Sequence, residues 1–156
     1  MHILIVEDEA SIARRVELFT REILGDKIEK LVLKNKLTAA LDYLQHNTID
    51  LLLLDLSLSG KNGFELLQSL LAESFSTIVI SAYRNKAIEA FEYGVLDFVP
   101  KPFDRARLEK ALNRMLDQNA KQDFPGKYLP IKKQGRVQLI EIKDILFIQG
   151  ANIYAE

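Results

Sequence analysis

Cysteine is absent from the 156-residue chain, which excludes disulfides, thiolate-bound zinc and a catalytic thiol, and fits a reducing compartment. Histidine is scarce. His2 and His46 are the only two, so a three-histidine metal centre cannot be assembled, and His46 has no evident partner. No apolar stretch approaches the roughly 18 residues of a membrane span. The densest run, four leucines at 51–54, stops at Asp55. The amino terminus MHILIVEDE turns acidic where a secretory signal would stay apolar toward a small-residue cleavage site, so a cytoplasmic location is expected. An excess of one charge is also missing: 21 basic residues face 22 acidic ones, for a net charge of -1. Over the whole chain this argues against a strongly basic nucleic-acid or membrane-surface protein. Residues 7–11 hold no glycine, so that loop lacks the means to bring a nucleotide phosphate onto the backbone.

What is present reads as a globular protein, 48% hydrophobic and 28% charged. Its length suits one ordinary domain plus a fragment. The first 118 residues alternate strand and helix patterns five times. Short runs rich in Val, Ile and Leu lie at 3–6, 29–33, 51–54, 77–81 and 96–99; most are apolar on both faces, as buried parallel strands require. Between them, Ile12, Val16, Phe19 and Ile23 recur at helical steps, with Gly25 as a stop. Ala40, Leu41 and Leu44 mark a second helix, and Phe64, Leu67 and Leu71 a third. Ala87, Ala90 and Phe91 mark a fourth that ends at Gly94. Asp104 caps a fifth, with Leu108, Leu112 and Met115 on its core face. Repeated strand–helix units predict an α/β fold, a doubly wound parallel sheet covered on both sides. Residues 119–127 (NAKQDFPGK) read as a polar linker ending in Pro-Gly. Beyond it, 128–132, 137–142 and 145–148 resemble short strands, with Pro130 confining the first to an edge.

The carboxylates fall where such a sheet binds ligands. Glu7 and Asp8 follow the first strand, Asp55 closes the third, Ser81 closes the fourth and Lys101 follows the fifth. The carboxyl ends of parallel strands share one edge, so three acids, a hydroxyl and an ammonium should converge there. Three acids so placed repel one another, and at least one pKa rises unless a cation shares the site. An oxygen-only cluster selects a hard ion, and Mg²⁺ suits it best. Lys101 adds a second positive charge that can follow an incoming anion. Each residue alone has an ordinary alternative: Asp8 could cap the first helix, and Lys101-Pro102 could be no more than a turn. Whether that bond is cis or trans cannot be read from the sequence.

The blocks ILIVEDE, LLLLDLSLSGKNGFELL, TIVISAY and FVPKPF, in this order and spacing, resemble the receiver domain of two-component response regulators over residues 1–118. The resemblance implies a five-stranded, flavodoxin-like sheet in the order 2-1-3-4-5. It implies that Asp55 accepts a phosphoryl group from a sensor histidine kinase. Glu7, Asp8, Asp55 and the backbone carbonyl of Ser57 would hold Mg²⁺, while Ser81 and Lys101 would contact the phosphoryl oxygens. Phe98 matches the family's switch aromatic and is expected to turn toward the core when Ser81 is drawn inward. That movement would alter the face built from the fourth helix, fifth strand and fifth helix, through which a homodimer is expected. Such a protein is a signalling domain rather than an enzyme, acting only on its own aspartyl phosphate. Ser59 stands where the family usually has proline, a departure that removes no ligand. A haloacid-dehalogenase-like phosphatase would also use an Asp after an apolar strand. Such enzymes normally carry a second Asp two positions on, where this chain has Ser57, and place the nucleophile after the first strand rather than the third.

Residues 128–156 resemble the opening strands of a LytTR-type DNA-binding domain, with Asp144-Ile145 before an apolar run. Only 30 residues run from Lys127 to Glu156, too few for a complete module of that kind. Six basic residues from Lys121 onward face four acidic ones, a weak footprint for DNA. Specific DNA binding, and control of transcription, is therefore expected only of a longer parent. A receiver that works by protein contacts alone is the remaining alternative.

Overall fold

The computed structural model describes residues 1–58, 63, 64, 67, 75–120, 128–133 and 136–141. The chain divides into two compact units, Met1–Asn119 and Ala120–Glu156. In the first, β1 (His2–Val6), β2 (Lys30–Lys34), β3 (Leu51–Leu54), β4 (Ser76–Ser81) and β5 (Asp97–Pro100) form one sheet in the order β2-β1-β3-β4-β5. Every pairing is parallel. Each strand lies within a residue or two of its expected place, because short all-apolar runs leave little freedom once both faces are covered.

Side-chain alternation along the strands explains both layers. Leu4, Val6, Leu52, Leu54 and Val79 project to one side. They pack with Leu37 and Ala40 of α2 (Leu37–His46) and with Ala90 of α3 (Ala87–Glu92). Ile3, Ile5, Leu51, Leu53, Ile78 and Val99 project to the other. There they meet Val16 and Leu24 of α1 (Ala10–Leu24) and Leu108, Leu112 and Met115 of α4 (Arg105–Ala120). The fourth and fifth helical patterns of the sequence are thus α3 and α4. The third falls mostly outside the described residues, of which Gly63, Phe64 and Leu67 are helical.

Two local expectations change. Helix α1 is preceded by Glu9 rather than capped by Asp8, and no side-chain cap bond forms there. Its most buried residues are Ala13, Val16, Thr20 and Leu24, with Ile12, Phe19 and Ile23 packed at the margin. The stripe runs one position further along than the large apolar residues suggested. Thr20 is fully buried and its hydroxyl has no partner among the described residues. In α3 the core residue is Ala90, while Phe91 is 48% exposed; six residues are too few for both to face the sheet. The Asp104 cap is as expected, its carboxylate accepting the Arg107 N–H at 2.8 Å.

In the second unit, β6 (Tyr128–Lys133) and β7 (Arg136–Glu141) pair antiparallel with Pro130 opposite Leu139. Among the described residues this sheet has two strands, each an edge, where proline is tolerated. Of the linker expected at 119–127, residues 119 and 120 belong to α4, and the remainder, like the expected strand at 145–148, lies outside the described residues.

Candidate functional site

Strand order reverses between β1 and β3: the chain steps from β1 out to β2, then returns to the other side of β1. Brought together there, the diverging loops leave a crevice at the carboxyl ends of the strands. Backbone bonds carry the ladder into that crevice. Glu7 N–H donates to the Lys34 carbonyl at 3.0 Å, Asp55 N–H to Val6 at 2.9 Å, and Lys101 N–H to Ser81 at 2.9 Å. The residues that follow the strands are therefore held nearly as rigidly as the strands themselves.

Glu7, Asp8 and Asp55 each place a carboxylate oxygen within 4.8 Å of the others. Lys101 reaches across from the end of β5, its Nζ donating to Glu7 Oε2 at 2.6 Å and to Asp55 Oδ2 at 2.8 Å. The second Asp55 oxygen, Oδ1, accepts the Ser57 N–H at 2.9 Å, and Glu7 Oε1 accepts the Glu9 N–H at 3.2 Å. Asp55 is only 4% exposed, so these are charges largely removed from water. Burial raises the Glu7 carboxyl above its ordinary pKa; the Lys101 hydrogen bond opposes this and the Asp55 charge adds to it. Burial works to lower the Lys101 pKa, but its hydrogen bonds to Asp55 and Glu7 outweigh that and leave it raised. The ammonium is thus held charged beside three acids, and with all three ionised the cluster stands two positive charges short of neutrality.

Ser81 is completely buried at the end of β4, its hydroxyl accepting the Tyr83 N–H at 3.3 Å. Ser57 follows Asp55 directly after Leu56, and its own hydroxyl is buried without a partner among the described residues. The Lys101-Pro102 peptide is cis. Phe98 lies opposite Val79 on β4 and is 6% exposed, packed in the layer that holds Ala90. The aromatic ring therefore already faces the core in this structure, whereas the expected movement began with it turned away. Gly63 closes the loop after Asp55. A Cβ there would lie 2.7 Å from the Leu56 Cα and 3.0 Å from the Asp55 carbonyl oxygen, so only glycine allows this approach.

One cluster was not foreseen from the sequence. Asp97, 2% exposed, accepts Arg107 through both oxygens at 2.7 and 3.1 Å, and Arg114 at 2.9 Å. Arg107 also donates to the Phe98 carbonyl, while the Phe98 N–H donates to Asp97 Oδ1 at 2.7 Å. The available signal was an acid inside a buried strand together with two arginines seven positions apart, on one face of a helix.

Residues 3–113 match the response regulator receiver domain family, and the chain belongs to it. The chain is similar to the sensory transduction protein LytT of Bacillus subtilis, at 29% identity over 94% of this chain and 64% of that one. It is also similar to the transcriptional regulatory protein BtsR of Escherichia coli, at 30% identity over 95% of this chain and 65% of that one. It thus spans just under two-thirds of either relative. Among solved structures, the response regulatory domain of MrkE from Klebsiella pneumoniae superposes with a TM-score of 0.70 at 26% identity. That match covers 78% of this chain and all of that domain. The fold and family expected from the four sequence blocks are those found. Among the described residues, no helix is long and apolar enough to cross a membrane.

Proposed function

We propose that Asp55 is the phosphoacceptor of this receiver and takes its phosphoryl group from the phosphohistidine of a sensor kinase. The observation that carries this reading is the placement of a buried Asp55 between the acidic pair Glu7 and Asp8 and the Lys101 ammonium. An Asp55 oxygen attacks phosphorus as the phosphorus–nitrogen bond to the donor histidine breaks, and the imidazole leaves with a proton. The barrier lies largely in bringing a carboxylate against an anionic phosphoryl group. Lys101 already contacts Asp55, so its ammonium is in position to pair with the oxygens that arrive. Ser81, at the end of the neighbouring strand, supplies a hydroxyl to the same group.

The donor set fits Mg²⁺: the side-chain ligands would be Glu7, Asp8 and Asp55, all hard oxygens, with the Ser57 carbonyl as the main-chain ligand. When bound, the ion offsets the excess negative charge and polarises the phosphoryl oxygens. Phe98 serves as the switch aromatic. Because it is already inside, a filled site would hold it there rather than draw it in, with the signal read on the α3–β5–α4 face. That face is proposed as the homodimer contact. In a full-length parent it would control a DNA-binding module of LytTR type, in line with the names of LytT and BtsR. We assign the protein to the cytoplasm, where kinases have ATP, and assign it no turnover beyond its own aspartyl phosphate.

Incubation with acetyl phosphate and Mg²⁺ should add one phosphoryl mass to the intact chain, and Asp55→Asn should abolish the addition. Undiminished labelling of the Asn variant would refute the assignment.

A further inference from the structure

Strand β2 is the outermost of the sheet at one end, and among the described residues it pairs on one side only, with β1. Its Lys30 N–H donates to the Met1 carbonyl at 3.2 Å and its Lys34 carbonyl accepts the Glu7 N–H at 3.0 Å, both toward β1. By the alternation of a parallel ladder, the backbone groups of Leu31 and Leu33 face the open side. Such a row of unpaired donors and acceptors is a template for a further strand. Leu33 is also 37% exposed, an apolar side chain beside that edge.

The charge along this edge is unbalanced. Residues 26–36 (DKIEKLVLKNK) hold four lysines and two acids, within a chain whose net charge is -1. Among the described residues, Lys27, Lys30, Lys34 and Lys36 form no ion pair. Glu29 lies instead 3.6 Å from the His2 ring nitrogen. Lys30 and Lys34 stand about 13 Å apart along the strand, on the face that meets α2. Yet their ammonium groups lie 5.4 and 5.3 Å from the centre of one ring, that of Tyr43. Two like charges gathered over one ring, with no acid to pair them, form a seat for carboxylates. An aromatic face holds an ammonium only weakly at an exposed site, so a carboxylate can draw either one away.

We infer that the open edge of β2 receives an extended, acidic segment of a partner protein, added as a further strand of the sheet. Its backbone pairs with Leu31 and Leu33. Acids at alternate positions reach Lys30 and Lys34, and apolar side chains at the positions between them cover Leu33, since successive side chains of a strand fall on opposite faces. A second copy of this chain is a poor occupant. Setting β2 against β2 brings lysine to lysine, and like charges across a ladder repel. An acidic strand reverses that sign. A nucleic acid or an anionic membrane would meet the lysines but leave Leu33 and the unpaired backbone groups unused.

The probe is a library of random short peptides displayed on phage, selected against the full 156-residue chain. Recovered peptides, resynthesised with a fluorophore, are titrated by anisotropy against wild type and a double variant, Lys30→Gln with Lys34→Gln. The expected sequences alternate Asp or Glu with Val, Ile, Leu or Phe. The double variant should bind them roughly tenfold more weakly, as loss of charge-assisted hydrogen bonds implies. Hydrogen exchange in the wild type reads the added strand itself, whether or not the double variant folds: saturating peptide should slow exchange at the Leu31 and Leu33 amides. Peptides without alternating acids, equal affinity for a folded double variant, or unchanged exchange at those two amides would overturn the inference. So would recovery of no peptide, whether or not oligodeoxythymidylate or phosphatidylserine vesicles bind in its place. The unphosphorylated chain presents this edge in full, so none of these outcomes bears on Asp55, which acetyl phosphate labelling of the same preparation tests separately.

Discussion

The carboxylate of Glu7 is under tension between burial and the Lys101 ammonium, and burial prevails: its pKa is raised. A raised acid binds more protons in the folded state than in the unfolded state just above the unfolded pKa. Stability contributed by this group therefore falls as pH rises from the unfolded value through the folded one. The metal-free protein should lose part of its unfolding free energy across that window. Glu7→Gln should flatten the slope and leave the protein at least as stable near neutrality. Urea titrations between mildly acid and neutral pH, without divalent ions, check this; a steeper slope in the variant would contradict it. At this scale the sequence was most informative where chemistry sits at strand ends. Glu7, Asp55 and Lys101 were legible because a parallel sheet forces those ends together. The Asp97–Arg107–Arg114 cluster was not, since no local pattern reports which helix face a strand acid will meet.

Among the elements, the loop after β3 depends on one residue. Gly63 N–H donates to the Leu56 carbonyl at 3.2 Å, and its missing side chain lets it approach the backbone beside Asp55. Gly63→Ala should cost about 1–3 kcal/mol, the usual penalty of forcing atoms into a packed site. It should also slow labelling of Asp55 by shifting the residue's carbonyl. Thermal unfolding and the rate of mass addition read the two effects; an unchanged melting temperature would show that the loop relaxes freely. The strands were legible to within a residue or two, because four- to six-residue apolar runs bounded by polar residues permit few registers. Helix faces were less so. The α1 stripe includes Thr20, whose polarity hid its burial, and α3 is too short for its periodicity to choose between Ala90 and Phe91.

For the whole molecule, the order 2-1-3-4-5 follows from strand–helix alternation and family resemblance together; alternation alone leaves the order open. With beryllium fluoride and Mg²⁺ as a phosphoryl mimic, sedimentation should show a monomer shifting toward dimer. Charge reversal at Arg84, which lies beside Ala87, Phe91 and Pro100 on the α3–β5–α4 face, should weaken that shift. A monomer in both states at micromolar concentration would contradict dimerisation through this face. The central claim concerns one bond, the acyl phosphate on Asp55. Borohydride reduces an aspartyl phosphate to homoserine, so the most direct test is to label the protein with acetyl phosphate and Mg²⁺, reduce it, digest it and sequence the peptides by mass spectrometry. The account predicts homoserine at position 55 and at no other; homoserine elsewhere, or none in a protein that has gained phosphoryl mass, would contradict it.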